Sequence, residues 1–190
     1  MLRKASLSMI VGALAVVAAL HLGAVRAQAD PPDHVTFVVD VAVDHATFAI
    51  IPSTGLVLQP EALGPNRGTT FIVDGKVFPG GTLKNGNGMG EPNQNGSIGN
   101  WSCKGFFTSD LGTADVGFDT TQRFEFGGRD QIWTEGLEAG LGKIGVITHR
   151  TILGGTGRFK GAEGEVIQEA LGTNIGGTPN IRLTFRILKH

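Results

Sequence analysis

Few residues in this sequence stand at the spacings that catalysis or ligation requires. Four of its five histidines, His34, His45, His149 and His190, lie far apart and form neither an H-E-x-x-H pair nor any other pair at metal-ligand spacing, so no metal site is expected. Ser97, in Asn95-Gly96-Ser97, lacks the second glycine and the strand-to-helix elbow of a hydrolase nucleophile. Gly155-Thr156-Gly157-Arg158-Phe159-Lys160 misses the dinucleotide fingerprint at its last position, and no helical pattern follows to present an N-terminus to a pyrophosphate. What is left is acid, base and wall chemistry. Arg129, Asp130 and Glu135 surround the run Gln131 to Thr134, as pocket acid and base groups or as the charges of a solvated turn. His149 and Arg150 are adjacent on one strand, so only one of them faces inward; an inward His149, with an ordinary pKa of about 6.5, is placed to shuttle a proton. Trp101 and Trp133 suit an aromatic wall for an apolar ligand, or end packing. Cys103, the only cysteine, is either such a wall or a small apolar filler, and it can form no intramolecular disulfide.

The elements that would position these residues follow from periodicity. In Val35 to Val43 the odd positions are Val35, Phe37, Val39, Val41 and Val43, which gives a strand with one dry face. The run Ile181, Leu183, Phe185, Ile187 alternates with Arg182, Thr184 and Arg186 in the same way. Between them lie Thr70 to Phe78, Cys103 to Thr108, Arg123 to Phe126, Gln131 to Thr134, Lys143 to Leu153 and Glu163 to Leu171, each bounded by Gly, Asn, Asp or Pro. Thirty glycines among 190 residues argue against helical bundles, since each costs about 1 kcal/mol relative to Ala inside a helix. Many short antiparallel strands must dispose of their edges, and closing the sheet does so most completely. The expected fold is therefore all-β, a single eight-stranded antiparallel barrel, with Gly80 to Gly99 as its longest loop. An eight-stranded barrel has room for packed side chains or one small ligand. Cys103 and Gly105, two apart, share a face, and glycines at Gly105, Gly117, Gly145 and Gly164 would leave such room.

Charge and the N-terminus bound the setting. Sixteen basic against 17 acidic residues give a net charge of -1, and no field that would gather nucleic acid or an anionic membrane. Arg3 and Lys4, the apolar stretch Leu7 to Leu22 and the small residues of Ala27-Gln28-Ala29 have the layout of a secretory signal peptide. Residues 1–29 are thus expected to be a leader cut before Asp30, and residues 30–190 a single barrel domain, secreted or periplasmic and free of the membrane once cleaved. An uncleaved anchor is the rival reading.

The segment Gly154-Gly155-Thr156-Gly157-Arg158-Phe159-Lys160-Gly161-Ala162-Glu163-Gly164 resembles the G-G-[ST]-G-x-F-x-G-x-x-G stretch shared by plant allene oxide cyclases and, more loosely, by dirigent proteins. Phe126-Gly127, Ile132 and Gly136 resemble the preceding strand pair of those cyclases, and Cys103 stands at nearly their pocket-cysteine distance before Phe126. The resemblance covers about Cys103 to Val166. It implies an eight-stranded barrel whose apolar pocket holds a reactive small molecule and steers its ring closure or coupling by shape and a few polar groups, without a cofactor. It also implies a homo-oligomer, a trimer in those families. The cyclases' pocket tyrosine, two residues beyond the glycine matching Gly136, is replaced here by Glu138, and the sequence contains no tyrosine.

Three functions remain open at this point. The barrel is a cyclase-like or dirigent-like catalyst, with Glu138 and His149 as its candidate catalytic groups and Cys103, Trp133, Arg129 and Glu135 as ligand-binding groups. Alternatively it is a secreted carrier of a small apolar molecule, or a barrel whose outer face mediates assembly. Inward charges around a cavity favour the first, a purely apolar cavity the second, and a filled barrel the third.

Overall fold

The computed structural model describes residues 33–51, 67–109, 116–139 and 143–189. The leader expected over residues 1–29, with its expected cleavage point, lies outside the described residues. Nine strands form: β1 His34–Val43, β2 Ala49–Ile51, β3 Thr70–Pro79, β4 Gly99–Phe107, β5 Gly117–Glu125, β6 Gln131–Ala139, β7 Ile147–Thr156, β8 Gly164–Thr173 and β9 Pro179–Leu188. They lie in the order β1-β9-β8-β7-β6-β5-β4-β3-β2, every pairing antiparallel. The C-terminal half of β3 also pairs with β1, from Val39 opposite Pro79 to Val43 opposite Gly75. That contact closes an eight-stranded barrel, and β2 pairs outside the ring with Thr70 to Ile72 of β3. Among the described residues the only helical pieces are single 3-10 turns at His45–Thr47 and Gly157–Phe159.

The period of two decides what the barrel contains. Val39, Val41 and Val43 of β1, Ile181, Leu183 and Phe185 of β9, Phe71, Val73 and Val77 of β3, and Trp101, Cys103 and Phe107 of β4 are buried in one core. One end of the barrel is plugged by aromatic rings. Phe37 stacks on Phe185 with centroids 4.5 Å apart and meets Phe126 edge-on at 6.0 Å, while Phe159 lies 5.7 Å from Phe37. Phe159 comes from the turn in Gly155-Thr156-Gly157-Arg158-Phe159-Lys160. Gly157 has φ +59, and a side chain there would run into Asp130, whose carboxylate instead accepts the Arg158 N–H at 3.0 Å. The Arg158 guanidinium lies over the Phe126 and Phe159 rings, 5.4 and 4.8 Å from their centroids.

Two expectations are refined. The strand expected from Lys143 begins only at Ile147, because Lys143 to Val146 forms a turn closed by the Val146 N–H on the Lys143 carbonyl. The long loop after β3 folds back on the barrel wall. There Leu83 packs with Ala42, Phe78 and Leu171, and the Leu83 N–H and Arg182 both bond the buried carboxylate of Asp40. The second half of β1 is therefore covered on both faces.

Candidate functional site

At the end of the barrel opposite the phenylalanine plug, the inward side chains leave a cavity of about 320 Å³. Four rings line it. Phe71 lies 5.8 Å from Phe48, 5.6 Å from Phe107 and 5.7 Å from Phe118, and Phe107 and Phe118 meet edge-on at 4.9 Å. Trp101 and Cys103, two apart on β4, continue the wall, and Val43, Val73, Pro179 and Ile181 complete its apolar part. The inward Gly105 adds no room, since the Phe71 ring and the Thr120 methyl occupy the space beside it.

The cavity's floor is polar. Thr120 and Gln122 of β5, Glu138 of β6, Arg150 of β7 and Gln168 of β8 all face inward and are buried. The Glu138 backbone stands level with Phe118, its register partner near the mouth, while its carboxylate bonds Thr120 and Gln122, one and two inward positions deeper. Glu138 Oε1 accepts from Thr120 Oγ1 at 2.6 Å, from Gln122 Nε2 at 2.9 Å and from Arg150 Nη1, and Oε2 accepts from Gln168 Nε2 at 3.1 Å. Arg150 spends its remaining donors internally. Its Nε bonds Thr134 Oγ1 at 3.0 Å, Nη1 bonds Thr120 Oγ1 at 2.9 Å, and Nη2 bonds the Thr120 carbonyl at 2.9 Å. The guanidinium passes over Gly136, where a Cβ would stand 3.1 Å from Arg150 Cγ. A charge buried this deeply is tolerable only when paired and fully hydrogen-bonded, and both conditions hold here.

Cys103 is a neutral wall. Burial pushes its thiol well above the usual range and the negative charge of Glu138 adds to that, while Arg150 and a hydrogen bond with Thr120 oppose it. The thiolate is the nucleophilic form, so Cys103 offers shape rather than attack.

Of the residues singled out in the sequence, the structure brings Trp101, Cys103 and Glu138 together at the cavity, with Arg150 bonded to Glu138 beneath it, and places His149, Glu135, Trp133 and Arg129 elsewhere. His149 faces out, its side chain 68% exposed beside Glu165 at 3.7 Å, because the parity of β7 turns Arg150 inward instead. Glu135 and Trp133 alternate with the buried Ile132 and Thr134, so both lie on the outer face of β6. Arg129 is exposed in the turn between β5 and β6, where its carbonyl accepts from Thr156 Oγ1. The residues that sequence reading missed are Thr120, Gln122, Thr134 and Gln168. Their signal was parity: Gln122 stands two before Phe124, and Gln168 two after Val166, at positions where the core side of the strand is due.

No protein-family model matches the chain, and no curated protein matches it significantly in sequence. Solved structures do. Two pterocarpan synthase dirigent proteins, PsPTS1 and GePTS1, each superpose with a TM-score of 0.52 at 15% and 16% identity. The matches cover 85% and 84% of this chain and 97% and 91% of theirs. A nonspecific heme-binding cyclase that catalyses a 4 + 2 cycloaddition during neoabyssomicin biosynthesis superposes with the same TM-score at 16% identity, over 87% of this chain and 71% of its own. These likenesses extend over most of the molecule, well beyond the Cys103 to Val166 stretch, and what they share with this chain is its fold: a dirigent-like, cyclase-like β-barrel.

Proposed function

We propose that the barrel binds a small, largely apolar molecule in this cavity and holds it in one conformer, so steering its ring closure or coupling. The observation that carries this reading is the pairing of an aromatic cavity with a floor that holds a buried, hydrogen-bonded ion pair. Walls of Phe and Trp select shape, and holding reacting atoms in a near-attack geometry is itself a large part of a rate or selectivity effect. The floor adds fixed charges and dipoles that need not reorganise as charge develops on the bound molecule. Glu138 acts in this scheme as an electrostatic anchor, since its Oε1 already accepts three hydrogen bonds. The same saturation favours a second reading, in which the cavity carries its ligand without chemistry. In either case the barrel acts after export and removal of residues 1–29, and N-terminal sequencing of exported protein is expected to begin at Asp30.

Thermal shift against a panel of apolar compounds tests the cavity. A ligand at a hundredfold excess over its Kd stabilises by about 2.7 kcal/mol, which in a domain of this size raises the midpoint by roughly 5–10 °C. Cys103→Trp, which fills the cavity, is expected to abolish the shift. If no compound raises the midpoint, or the variant responds as the parent does, the reading falls. Native mass spectrometry of protein from its host identifies a retained ligand by mass, and incubating the barrel with that compound, with the products resolved by chiral chromatography, then separates steering from carriage. A reactive compound returned as one stereoisomer in excess of the buffer reaction supports steering, and one returned unchanged supports carriage.

A further inference from the structure

We infer, resting on the cavity reading above, that the ligand is an uncharged oxygenated molecule: an apolar skeleton bearing a hydrogen-bond acceptor for the indole N–H of Trp101 and a hydroxyl donor for the side-chain carbonyl of Gln122. Both side chains line the cavity and both are almost wholly buried. Among the described residues, Trp101 Nε1 and Gln122 Oε1 have no hydrogen-bond partner.

Neither atom can be satisfied by a simple reorientation. Both amide hydrogens of Gln122 are in use, Nε2 donating to Glu138 Oε1 at 2.9 Å and to Gln168 Oε1 at 2.8 Å. Turning the amide over would set its carbonyl oxygen against a carboxylate oxygen and a second carbonyl oxygen. Gln168 is fixed in turn, since its Nε2 donates to Glu138 Oε2 at 3.1 Å. The carboxylate thus orients both amides, and Gln122 Oε1 is the acceptor that this chain of bonds leaves over. For Trp101, the Cε3 edge of the indole lies against Gly75, where a Cβ would stand 3.1 Å from it, so the opposite, nitrogen-bearing edge turns away from the β3 backbone. An unpaired buried donor and an unpaired buried acceptor are each unfavourable, and native interiors keep few of them. A ligand that pairs them recovers that loss, and one that cannot leaves it in place.

Charge sets the other half of the specificity. The cavity lining includes Glu138 and no Lys, Arg or His, and the nearby Arg150 has its donors committed to Thr120, Thr134 and Glu138. An anionic ligand would enter beside a carboxylate with no cation free to meet it. Carboxylic acids of the right shape are therefore excluded in their ionised form, although their hydrocarbon parts fit.

One skeleton with graded polarity tests this on the native barrel. Fluorene, fluorenone, fluorenol, the methyl ether of fluorenol and fluorene carboxylate share three rings and differ in what they offer the two atoms. Fluorenone, which offers only the acceptor, is expected to bind about tenfold more tightly than fluorene, the gain of roughly one well-placed hydrogen bond, and fluorenol, which offers acceptor and donor, more tightly still. The methyl ether, which keeps the acceptor and loses the donor, is expected to bind more weakly than fluorenol, and the carboxylate least of all. Heteronuclear NMR of the two indole N–H groups gives a direct readout, with Trp133→Phe identifying the Trp101 signal. Fluorenone should move that signal downfield, and fluorene should not. In Trp101→Phe, fluorenone should fall to the affinity of fluorene; the ligand series in the native protein decides the matter even if this variant does not fold. Binding of fluorene and fluorenone with equal affinity and an unmoved Trp101 signal overturns the inference while leaving the cavity reading intact, and so does tightest binding of the carboxylate. Failure of the whole series to bind overturns the cavity reading itself.

Discussion

Arg150 keeps no side-chain surface in contact with water, and its charge is tolerated because Glu138 meets it at the same depth. Removing one partner strands the other. Arg150→Met is expected to cost about 3–5 kcal/mol of unfolding free energy in urea titration, the usual consequence of an uncompensated buried charge. Glu138→Gln combined with Arg150→Met removes both charges, and the pair should cost clearly less than the sum of the single changes. Strict additivity in that double-mutant cycle would show that the two side chains are not coupled. Cys103 gives a pH prediction whose sign is fixed by its direction of shift. Its ordinary value is 9.0, and burial raises it in the folded state, so above pH 9 the unfolded chain releases a proton that the folded chain retains. Stability is then fully present below that value and falls as pH rises beyond it, with a slope approaching about 1.4 kcal/mol per unit. Between pH 9 and roughly 10, Cys103→Ala should flatten that decline; an unchanged slope would place its source elsewhere.

At the scale of elements, the turn Gly157–Phe159 is where backbone conformation and core packing depend on each other. Gly157 adopts a positive φ beside Asp130, and the turn it opens delivers Phe159 into the aromatic plug. Gly157→Ala is expected to destabilise by about 1–3 kcal/mol, through left-handed strain and the clash with Asp130. A near-neutral result in chemical denaturation would mean that the turn has another way to close. This element stood out in the sequence as the glycine-rich segment that carries the resemblance. β1 and β9 were readable because apolar residues alternate over whole strands. β2 was not, since three residues carry no period. The stretch of β5 from Gly117 to Gln122 was hidden for a more informative reason: two of its three inward positions are Thr120 and Gln122, polar types that read as a solvent face. Most of the floor was missed on the same ground, because a buried polar network contradicts the very pattern by which strands are recognised. Glu138 was reached through the resemblance, and its partner Arg150 was left as one of two opposite-facing options that side-chain burial resolves.

For the whole molecule, closure depends on the two terminal strands. β9 lies between β1 and β8, and β1 in turn pairs with β3. A chain ending before Pro179 would leave two open edges and expose the apolar faces of Val39, Val41 and Val166. Such a truncation is expected to lose cooperative unfolding and to aggregate; a sharp two-state transition in the shortened chain would show that the ring is dispensable. The same pairing has a consequence for engineering. His34 lies opposite Leu188, and the Lys189 N–H donates to the Asp33 carbonyl at 2.9 Å, so the barrel's first and last residues meet on one rim. That rim is the one stopped by Phe37 and Phe185, and the cavity opens at the other. The domain is thus nearly a ring of sequence: a short linker from Lys189 to Asp33 could join its ends, with new termini cut in the long loop after β3. A bead or sensor surface coupled at the old rim would present the barrel like a cup standing on its base, its mouth turned outward to the solution.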